Sequence, residues 1–299
     1  MITRLSFLLI VFACVSRHSG RAQDHSEKNS LSQEVVFKKI DTIELKMNLF
    51  YPLNYEREKK YPVMIFFFGG GWKHGSRDQF EPQARYFASR GIITALADYR
   101  TSSKHNTTPF EAVKDAKSAI RYLRENSKKL SVNVEMIAAA GGSAGGHLAA
   151  AADLTTLDET SENLTVSSRP NATILFNPVI NNGPGNYGYD RVKDDYLRIS
   201  PYHNIKKGTA PTLILSGTQD KTVPVKVLRS YQEKMLQYGN RCELRLYEGQ
   251  EHGFYRYHVS KQPANNVNDA LTDNKYYYET LNEADAFLVS LGFLEQKNY

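Results

Sequence analysis

The feature that most constrains the fold is an alternation of short apolar runs with longer segments of helical periodicity. Pro62–Phe68 and Pro211–Ser216 are apolar runs typical of parallel strands that are covered on both faces. Between such runs lie segments of helical pattern and length, among them Pro109–Asn126 and Val225–Tyr238. This alternation predicts an α/β fold, with a mostly parallel central sheet and helices on both faces.

The other segments extend this pattern. Further strands are predicted at Ile92–Ala97, Val134–Ala140, Ala172–Phe176 and Cys242–Tyr247, and further helices at Gln79–Arg90, Ala144–Leu154 and Tyr276–Leu291. Val35–Phe37 and Ile43–Tyr51 alternate apolar and polar residues, which predicts antiparallel edge strands. Residues 181–207, rich in Gly, Asn, Tyr and Asp, are interpreted as a small insertion near the carboxyl edge of the sheet, where such folds bind ligands. With no internal repeat, residues 23–299 are predicted to form a single domain.

The first 22 residues have the order of a secretory signal peptide. Arg4 precedes an unbroken apolar stretch, Phe7–Val15, and Gly20-Arg21-Ala22 supplies small residues for cleavage. Lipid attachment at Cys14 is the weaker alternative, because the bulky Phe12 and a short apolar run precede it. We therefore expect a secreted or periplasmic protein. No later segment is long and apolar enough to predict a membrane span.

Charge and cysteine content exclude several classes of function. The formal charge is +6, and without Arg4, Arg17 and Arg21 of the leader it is +3, which does not indicate nucleic-acid binding. Histidine clusters are absent, and we expect neither a metal nor a cofactor. Cys242 is the single cysteine after the leader, so no internal disulfide is expected. Its strand-like surroundings predict a buried apolar role and not that of a nucleophile.

The motif Gly141-Gly142-Ser143-Ala144-Gly145 joins a predicted strand to a predicted helix. A sharp turn at this point forces Ser143 into strained backbone angles, which only very small neighbours permit. The hydroxyl then projects above the sheet at the positive end of the following helix, where an oxyanion can be stabilised. Ser143 is therefore the predicted nucleophile.

A serine hydroxyl needs a base to take its proton, and in this type of fold the acid and then the histidine follow the serine along the chain. Four histidines follow Ser143. His252 lies in a loop directly after the predicted strand Cys242–Tyr247, at the carboxyl edge of the sheet, and is the predicted base. His147 is expected to pack or to hydrogen bond, and His203 to be structural or to contact substrate. His258 is the reserve base.

The predicted acid is Asp220, which must orient the imidazole and stabilise its charged form. It follows a predicted strand in Gly217-Thr218-Gln219-Asp220, just before Val223-Pro224 opens a helix. A solvated turn or helix-capping aspartate is the alternative role. Competing carboxylates lie in the insertion and follow no sheet strand: Asp190, Asp194 and Asp195. Glu251, next to His252, is expected to be solvated.

A glycine-rich segment, Phe68-Gly69-Gly70-Gly71-Trp72, follows the predicted strand Pro62–Phe68. Three glycines let backbone N–H groups turn toward a ligand without a side chain in the way. Together with the N–H of Ala144, these groups would hold the oxyanion of a tetrahedral intermediate. A flexible glycine turn would be a serious alternative if the segment stood alone, but the Ser143 turn accompanies it.

Taken together, these residues resemble the α/β-hydrolase esterases related to hormone-sensitive lipase and to bacterial feruloyl and acetyl-xylan esterases. The resemblance covers roughly residues 35–292. It is carried by Phe68–Trp72, Asp98-Tyr99-Arg100, Asp115 with Ala119-Ile120-Arg121-Tyr122-Leu123, the Ser143 turn, Asp220 with Val223-Pro224, and His252-Gly253-Phe254. It implies an α/β-hydrolase fold and a catalytic triad of Ser143, Asp220 and His252.

The resemblance has further implications for the oxyanion loop and the scaffold. Oxyanion donors are implied among Gly70, Gly71, Trp72 and Ala144, and charge-paired scaffold roles for Asp98, Arg100 and Asp115. The family usually begins the glycine motif with a histidine that braces the loop, and Phe68 stands there instead. We expect this change to leave the mechanism intact and to alter how the loop is held.

The function implied is hydrolysis of carboxylic esters with short-chain or aromatic acyl groups, including acetyl or feruloyl groups on plant polysaccharides or their oligosaccharides. One alternative is a serine peptidase of the S9 type, which shares the order of the triad but normally carries a large propeller that has no counterpart in this sequence. A second alternative is a non-catalytic binding protein of the same fold, against which an intact serine, aspartate and histidine argue.

Four tyrosines are candidates to line the mouth of the site, because tyrosine suits stacking on sugar rings. They are Tyr187, Tyr189, Tyr255 and Tyr257. Tyrosine is abundant in this chain, with 19 of 299 residues, so ordinary surface packing is the alternative role for each.

Overall fold

The computed structural model describes residues 31–258 and 274–297. The predicted signal peptide and Cys14 lie outside the described residues. Eight strands form one sheet in the order β1-β2-β4-β3-β5-β6-β7-β8. They are β1 (Ser32–Ile40), β2 (Ile43–Phe50), β3 (Tyr61–Phe67), β4 (Ile93–Ala97), β5 (Val132–Gly142), β6 (Ala172–Phe176), β7 (Thr212–Gly217) and β8 (Cys242–Tyr247).

Strand direction follows the burial pattern of the sequence. β1 pairs with β2 and β2 with β4 in antiparallel fashion, and every other pairing is parallel. β1 and β2, the first two strands of the sheet order, lie at one edge of the sheet. β2 alternates between buried and partly exposed positions along most of its length. By contrast, every residue of β4, β6 and β7 is buried. The predicted edge strands and parallel interior strands are therefore confirmed.

Helices and single helical turns connect the strands. They are α1 (Glu81–Ser89), α2 (Ser102–His105), α3 (Pro109–Glu125), α4 (Ser127–Leu130), α5 (Ala144–Leu154), α6 (Tyr189–Val192), α7 (Val225–Gln237) and α8 (Lys275–Ser290). Short 3₁₀ turns occupy Arg77–Phe80, Lys193–Arg198 and Pro201–Asn204. The predicted helix Gln79–Arg90 is thus divided into a 3₁₀ turn and α1. The one-turn helices were not predicted, because four residues carry too little periodicity.

The core lies on both faces of the sheet, as the sequence predicts for an α/β fold. Successive side chains of a strand point to opposite faces. In β3, Val63, Ile65 and Phe67 pack in one apolar cluster, with residues of α3, α5 and α7. Met64 and Phe66 pack in the other cluster, with residues of α1 and α8. This arrangement is an α/β-hydrolase fold. Within the part of the chain that the structure describes, no helix is both long and apolar enough to cross a bilayer.

A buried ion network joins β1, α3 and the segment after α5. Asp115 on α3 is fully buried and accepts hydrogen bonds from Arg100 Nε (2.8 Å) and Lys38 Nζ (2.9 Å). Three acidic residues of the segment after α5 add further ion pairs. Asp158 pairs with Lys117 and Arg121, Glu159 with Lys38 and Arg100, and Glu162 with Arg121. The expected pairing of Arg100 with Asp115 is therefore present.

Asp98 is a scaffold residue of a different pair. It accepts from Arg77 Nη1 at 2.8 Å and from the Lys46 backbone N–H at 3.3 Å. Asp98 is therefore paired by charge, as expected, but its partner lies in the 3₁₀ turn before α1 and not at Arg100.

Candidate active site

Ser143 occupies the sharp turn between β5 and α5. Its backbone angles are φ 54° and ψ −116°, in the positive-φ region that disfavours side chains. Its N–H donates to Phe176 O at 2.9 Å, and its carbonyl accepts from the N–H groups of Val179 and His147. A Cβ added at Gly145 would lie 2.0 Å from Phe67 O, and one at Gly142 would lie 1.9 Å from the Tyr255 hydroxyl oxygen. The glycines around the serine are thus required by close approach, as the sequence predicts.

Asp220 and His252 meet at the carboxyl edge of the sheet. His252 Nδ1 lies 2.7 Å from Asp220 Oδ2, and the Asp220 side chain is fully buried. The other carboxylate oxygen, Oδ1, accepts from the backbone N–H groups of Thr222 (2.8 Å) and Val223 (2.9 Å). These two hydrogen bonds orient the carboxylate, so that Oδ2 faces the imidazole.

The loops after β7 and β8 hold this pair together. Gln219 N–H donates to Gln250 O at 2.9 Å, and Gly249 N–H donates to Thr218 Oγ1 at 2.8 Å. Gly217 allows the contact, because a Cβ there would lie 2.1 Å from Gln250 O. The two strands are parallel neighbours, so their following loops reach the same edge of the sheet.

His252 Nε2 faces the end of β6. Its hydrogen-bond partner is Asn177 Nδ2 at 3.5 Å, and no hydrogen bond joins Nε2 to Ser143 Oγ. Catalytic hydrogen bonds are often long or unmade without substrate and form when substrate binds. Sequence reasoning missed Asn177. Its position could have indicated it, because Asn177 is the first residue after a buried parallel strand. Asp220 likewise lies shortly after such a strand.

The other histidines are held in structural contacts. His147 is fully buried, with Nε2 3.0 Å from Ile199 O, and burial lowers its pKa to about 4. Its ring meets the Trp72 ring edge to face at 5.0 Å. His203 Nδ1 lies 2.8 Å from Ser200 Oγ, and the His258 N–H donates to Asn274 Oδ1. It is therefore His252, and not the reserve His258, that contacts Asp220. The carboxylates considered as rivals are exposed: Asp190, Asp194, Asp195 and Glu251.

The glycine-rich loop, residues 68–72, packs directly against Ser143. Gly70, Gly71 and Trp72 have positive φ angles of 134°, 63° and 56°. Their N–H groups have no hydrogen-bond acceptor among the described residues, whereas the Gly69 N–H donates to Gln79 Oε1 at 2.7 Å. A Cβ on Gly69 would lie 3.5 Å from Ser143 Cβ. Free backbone donors therefore stand beside the serine, and Ala144, as the first residue of α5, adds another.

Three residues, Tyr99, Gln79 and Arg191, hold the glycine-rich loop without the family's histidine. Phe68 stacks on Tyr99 with ring centres 4.0 Å apart, and the Tyr99 hydroxyl donates to Phe68 O at 2.8 Å. Gln79 holds Gly69, and the guanidinium of Arg191 donates to Gly71 O. Gln79 and Arg191 were also missed by sequence reasoning, because no local pattern links them to residues 69 and 71.

Comparison with known proteins places the chain in a family. Residues 47–187 match the BD-FAE family model. The apo form of Thermogutta terrifontis esterase 2 superposes with a TM-score of 0.82 at 41% sequence identity, covering 89% of this chain and 97% of that one. The chain belongs to the esterases of the α/β-hydrolase fold. These enzymes are serine hydrolases. The Thermogutta esterase has also been solved with propionate or butyrate bound and phosphorylated by paraoxon.

Curated relatives of this esterase family match over part of their length. Esterase LipC of Mycobacterium tuberculosis is 30% identical over 199 residues, which cover 59% of this chain and 49% of that protein. The acetylxylan esterase of Xylanibacter ruminicola is 30% identical over 212 residues, which cover 64% of this chain and 41% of that protein. The chain thus spans about half or less of the length of these relatives.

Two cavities are lined both by residues of the insertion and by residues next to the site. One, of about 250 Å³, is lined by Gly71 and Trp72 of the glycine-rich loop, and by Arg191 of the insertion. The other, of about 190 Å³, is lined by Tyr187 of the insertion and by Thr222 and Val223 beside the acid. Residues of the insertion therefore lie next to the glycine-rich loop and the loop of Asp220. Among the residues that the structure describes, no group of His, Cys, Asp or Glu is arranged to hold a metal ion.

The structure separates the four tyrosines considered for the mouth. Tyr187 is at the site, where its hydroxyl would lie 2.6 Å from a Cβ on Gly71. The expectation for Tyr255 is wrong: it is 1% exposed and packs between Phe80 and Phe176 beneath the Ser143 turn. Tyr257 packs on Tyr277 and lines a different groove. Tyr189 hydrogen bonds to Asp194 within the insertion.

Proposed function

We propose that this chain is a serine carboxylesterase that hydrolyses short-chain or aromatic acyl esters. One observation carries the proposal: the 2.7 Å hydrogen bond between Asp220 and His252 lies at the same sheet edge as the strained Ser143 turn. Backbone N–H groups without acceptors stand beside that turn, at Gly70, Gly71 and Trp72. A nucleophile, a base with its orienting acid, and oxyanion donors are the parts that acyl transfer requires.

In the proposed mechanism, Ser143 Oγ attacks the carbonyl carbon of the ester while His252 Nε2 takes the hydroxyl proton. Asp220 stabilises the imidazolium through Nδ1. The N–H groups of the glycine-rich loop and of Ala144 stabilise the oxyanion of the tetrahedral intermediate.

When this intermediate collapses, the bond from the carbonyl carbon to the alcohol oxygen breaks, and His252 protonates the leaving alcohol. A water molecule then attacks the acyl-serine, with its proton passing to His252 Nε2. The second tetrahedral intermediate expels Ser143 Oγ, which regains a proton from His252, and the carboxylic acid is released.

Two observations support short-chain acyl groups among the proposed substrates. The related Thermogutta esterase binds propionate and butyrate, and the two cavities beside the site of this chain measure about 250 and 190 Å³. The acetylxylan esterase among the relatives supports acetyl groups on plant polysaccharides or their oligosaccharides as substrates, with feruloyl groups as the aromatic counterpart. Tyr187, at the border of the site, is the tyrosine placed to contact such a substrate.

We also propose that the protein acts outside the cytoplasm, in the periplasm or the medium. The support is the sequence of the first 22 residues, with Arg4, the apolar stretch Phe7–Val15 and the small residues at 20–22. Export suits an enzyme whose polymeric substrates are too large to enter a cell. N-terminal sequencing of the protein from culture fractions tests this proposal: a mature chain that still starts at Met1 would contradict it.

The function is tested with purified protein on p-nitrophenyl acetate, butyrate and octanoate, on acetylated xylan and feruloylated sugars, and on a peptide p-nitroanilide. We expect hydrolysis of the two shorter esters to exceed that of the octanoate, and no cleavage of the peptide. Ser143→Ala is the matched control and is expected to lose the activity. A wild type inactive on p-nitrophenyl acetate would contradict the esterase proposal. Activity that survives in Ser143→Ala would contradict the assignment of the nucleophile.

A further inference from the structure

Asn177 lies between the proposed nucleophile and the proposed base. It directly follows β6, is fully buried, and has a φ of 35° although it is not glycine. Its backbone N–H donates to Leu215 O at 2.7 Å, which fixes it to β7. The preceding carbonyl, of Phe176, accepts the N–H of Ser143 at 2.9 Å. Asn177 is thus held rigidly by the same strand end that contacts the serine turn.

The side-chain amide of Asn177 has one possible orientation. Its Oδ1 accepts the backbone N–H of Gly253 at 3.0 Å. Since a backbone N–H can only donate, the oxygen must face Gly253, and the amide nitrogen must face the His252 ring. Nδ2 lies 3.5 Å from His252 Nε2. This length is at the long limit of a hydrogen bond, so the contact is weak and a hydroxyl donor can displace it from Nε2.

The two neighbours of the His252 ring select the same tautomer. The Asp220 carboxylate can only accept, so the Nδ1 that lies 2.7 Å from it carries the proton. In a neutral ring Nε2 then carries a lone pair, toward which an N–H of Asn177 can point. An imidazolium would instead direct an Nε2–H at the amide hydrogens. Asn177 therefore favours the neutral ring with a free Nε2 over both the other tautomer and the charged ring.

We propose that Asn177 is a positioning residue, which anchors the His252 loop through Gly253 and keeps Nε2 in the form that accepts the serine proton. The inference rests on the proposed function for its consequence in catalysis. Its claim about the ring of His252 can be tested whether or not the protein hydrolyses esters.

Among the described residues, a small set of charged and titratable groups lies around the His252 ring. Asp220 faces Nδ1, and Lys221 follows it in the same loop. Glu251 and Arg256 lie on the loop of His252 itself, with Arg256 Nε 3.5 Å from where a Gly253 Cβ would be. Ser143 comes from the turn before α5. A substitution at residue 177 leaves all of these groups in place, so a change in the titration of the ring reports on position 177.

The test compares Asn177→Asp with Asn240→Asp. In Asn177→Asp, one carboxylate oxygen still accepts the Gly253 N–H, and the other accepts an Nε2–H and so stabilises the charged ring. Asn240 is the matched control. It is also buried, its Oδ1 accepts from the N–H groups of Gly208 and Thr209, and its Nδ2 donates to Lys206 O, but it lies before β8, at the opposite edge of the sheet.

The first readout is ¹⁵N NMR of the histidine ring nitrogens during a pH titration, with the His252 signals assigned from a His252→Gln variant. We expect the neutral form of the wild-type ring to carry its proton on Nδ1. In Asn177→Asp the ring should take up its second proton about one pH unit higher, and in Asn240→Asp at the wild-type pH. A neutral wild-type ring whose single proton lies on Nε2 would overturn the inference even if neither variant folded. Equal titration of the ring in all three proteins would overturn it as well.

The second readout is the pH profile of kcat/KM on p-nitrophenyl acetate. The acid limb of Asn177→Asp should move to higher pH by about one unit, a tenfold loss at a fixed pH on that limb, while Asn240→Asp keeps the wild-type profile. A uniform loss of activity without a shift of the limb would show a merely structural role. Wild-type inactivity would refute the proposed function, and the NMR result would still decide the role of Asn177.

Discussion

The guanidinium of Arg191 donates a hydrogen bond to the carbonyl oxygen of Gly71 and thereby ties the insertion to the glycine-rich loop. The same guanidinium lies over the rings of Trp72 and Tyr187, at 5.6 and 5.4 Å from their centres. A peptide carbonyl held in place also fixes the plane of the next N–H, here that of Trp72. The insertion therefore sets the direction of one of the proposed oxyanion donors.

Replacing this arginine should weaken transition-state stabilisation more than substrate binding. We expect Arg191→Met, which keeps much of the packing on Trp72, to lower kcat on p-nitrophenyl acetate about tenfold to a hundredfold, with a small change in KM. Arg198→Met is the matched control, since Arg198 is an exposed arginine of the same insertion that lies over Phe110 instead. Equal effects of the two substitutions on kcat would refute the role assigned to Arg191.

Asp220→Asn is expected to preserve the fold and abolish most of the activity. The amide oxygen can still accept from the N–H groups of Thr222 and Val223, so the loop should keep its shape. The amide no longer stabilises the imidazolium and favours the wrong tautomer, and kcat should fall about 10⁴-fold. Steady-state kinetics measure the loss of kcat, and the melting temperature shows whether the fold is preserved. A variant within tenfold of wild-type kcat would show that Asp220 is not the acid.

Removing the buried carboxylate of Asp115 should cost stability and not catalysis. In Asp115→Asn, the buried Arg100 and Lys38 lose the fully buried carboxylate that both contact, and we expect the free energy of unfolding to fall by roughly 3–5 kcal/mol. Denaturant unfolding measures this change. Glu44→Gln breaks an exposed pair with Lys39 and should leave stability nearly unchanged. Below its melting temperature, Asp115→Asn should keep the wild-type kcat.

His147 should make stability depend on pH. Burial lowers its pKa to about 4 in the folded chain, whereas the unfolded value is near 6.5. Between these pH values the unfolded state binds a proton that the folded state does not. The contribution of His147 to the free energy of unfolding is therefore fully present above about pH 6.5 and is lost as the pH falls toward 4. We expect about 2 kcal/mol of destabilisation from this residue between pH 6.5 and 5.

The measurement is denaturant unfolding at both pH values for wild type, His147→Gln and the exposed-site control His74→Gln. Only His147→Gln should reduce the change in the free energy of unfolding between the two pH values. A wild-type slope retained in His147→Gln would assign the effect to other groups.

The sequence predicted the features that depend on neighbouring residues. The alternating pattern of β2 and the largely apolar, fully buried β4, β6 and β7 are visible in short windows, and so are the strand, turn and helix around Ser143. Asp220 and His252 were placed correctly at the sheet edge because each follows a strand in the chain order of the fold. Parallel strands with predictable ends bring such residues together without further information.

The site residues that the sequence did not predict are positioned by tertiary contacts. Gln79 and Arg191 contact the glycine-rich loop from 10 and 120 residues away, through single hydrogen bonds that leave no periodic pattern. Tyr255 was a candidate for the mouth because tyrosine suits stacking on sugar rings, with ordinary packing as the alternative. Its ring instead fills the space beside Gly142, where the missing side chain admits the hydroxyl. Its burial was set by a glycine that is distant in the chain.

The backbone of Ser143 has a consequence for how the chain can evolve. A side chain at φ 54° and ψ −116° costs of order 1–3 kcal/mol, and glycine adopts such angles without that cost. Ser143→Gly should therefore melt at a higher temperature than the wild type while losing the nucleophile. Selection for thermostability alone would drive this position toward an inert protein, and only simultaneous selection for turnover keeps the serine. Directed evolution of this esterase needs a screen that measures both properties in every round.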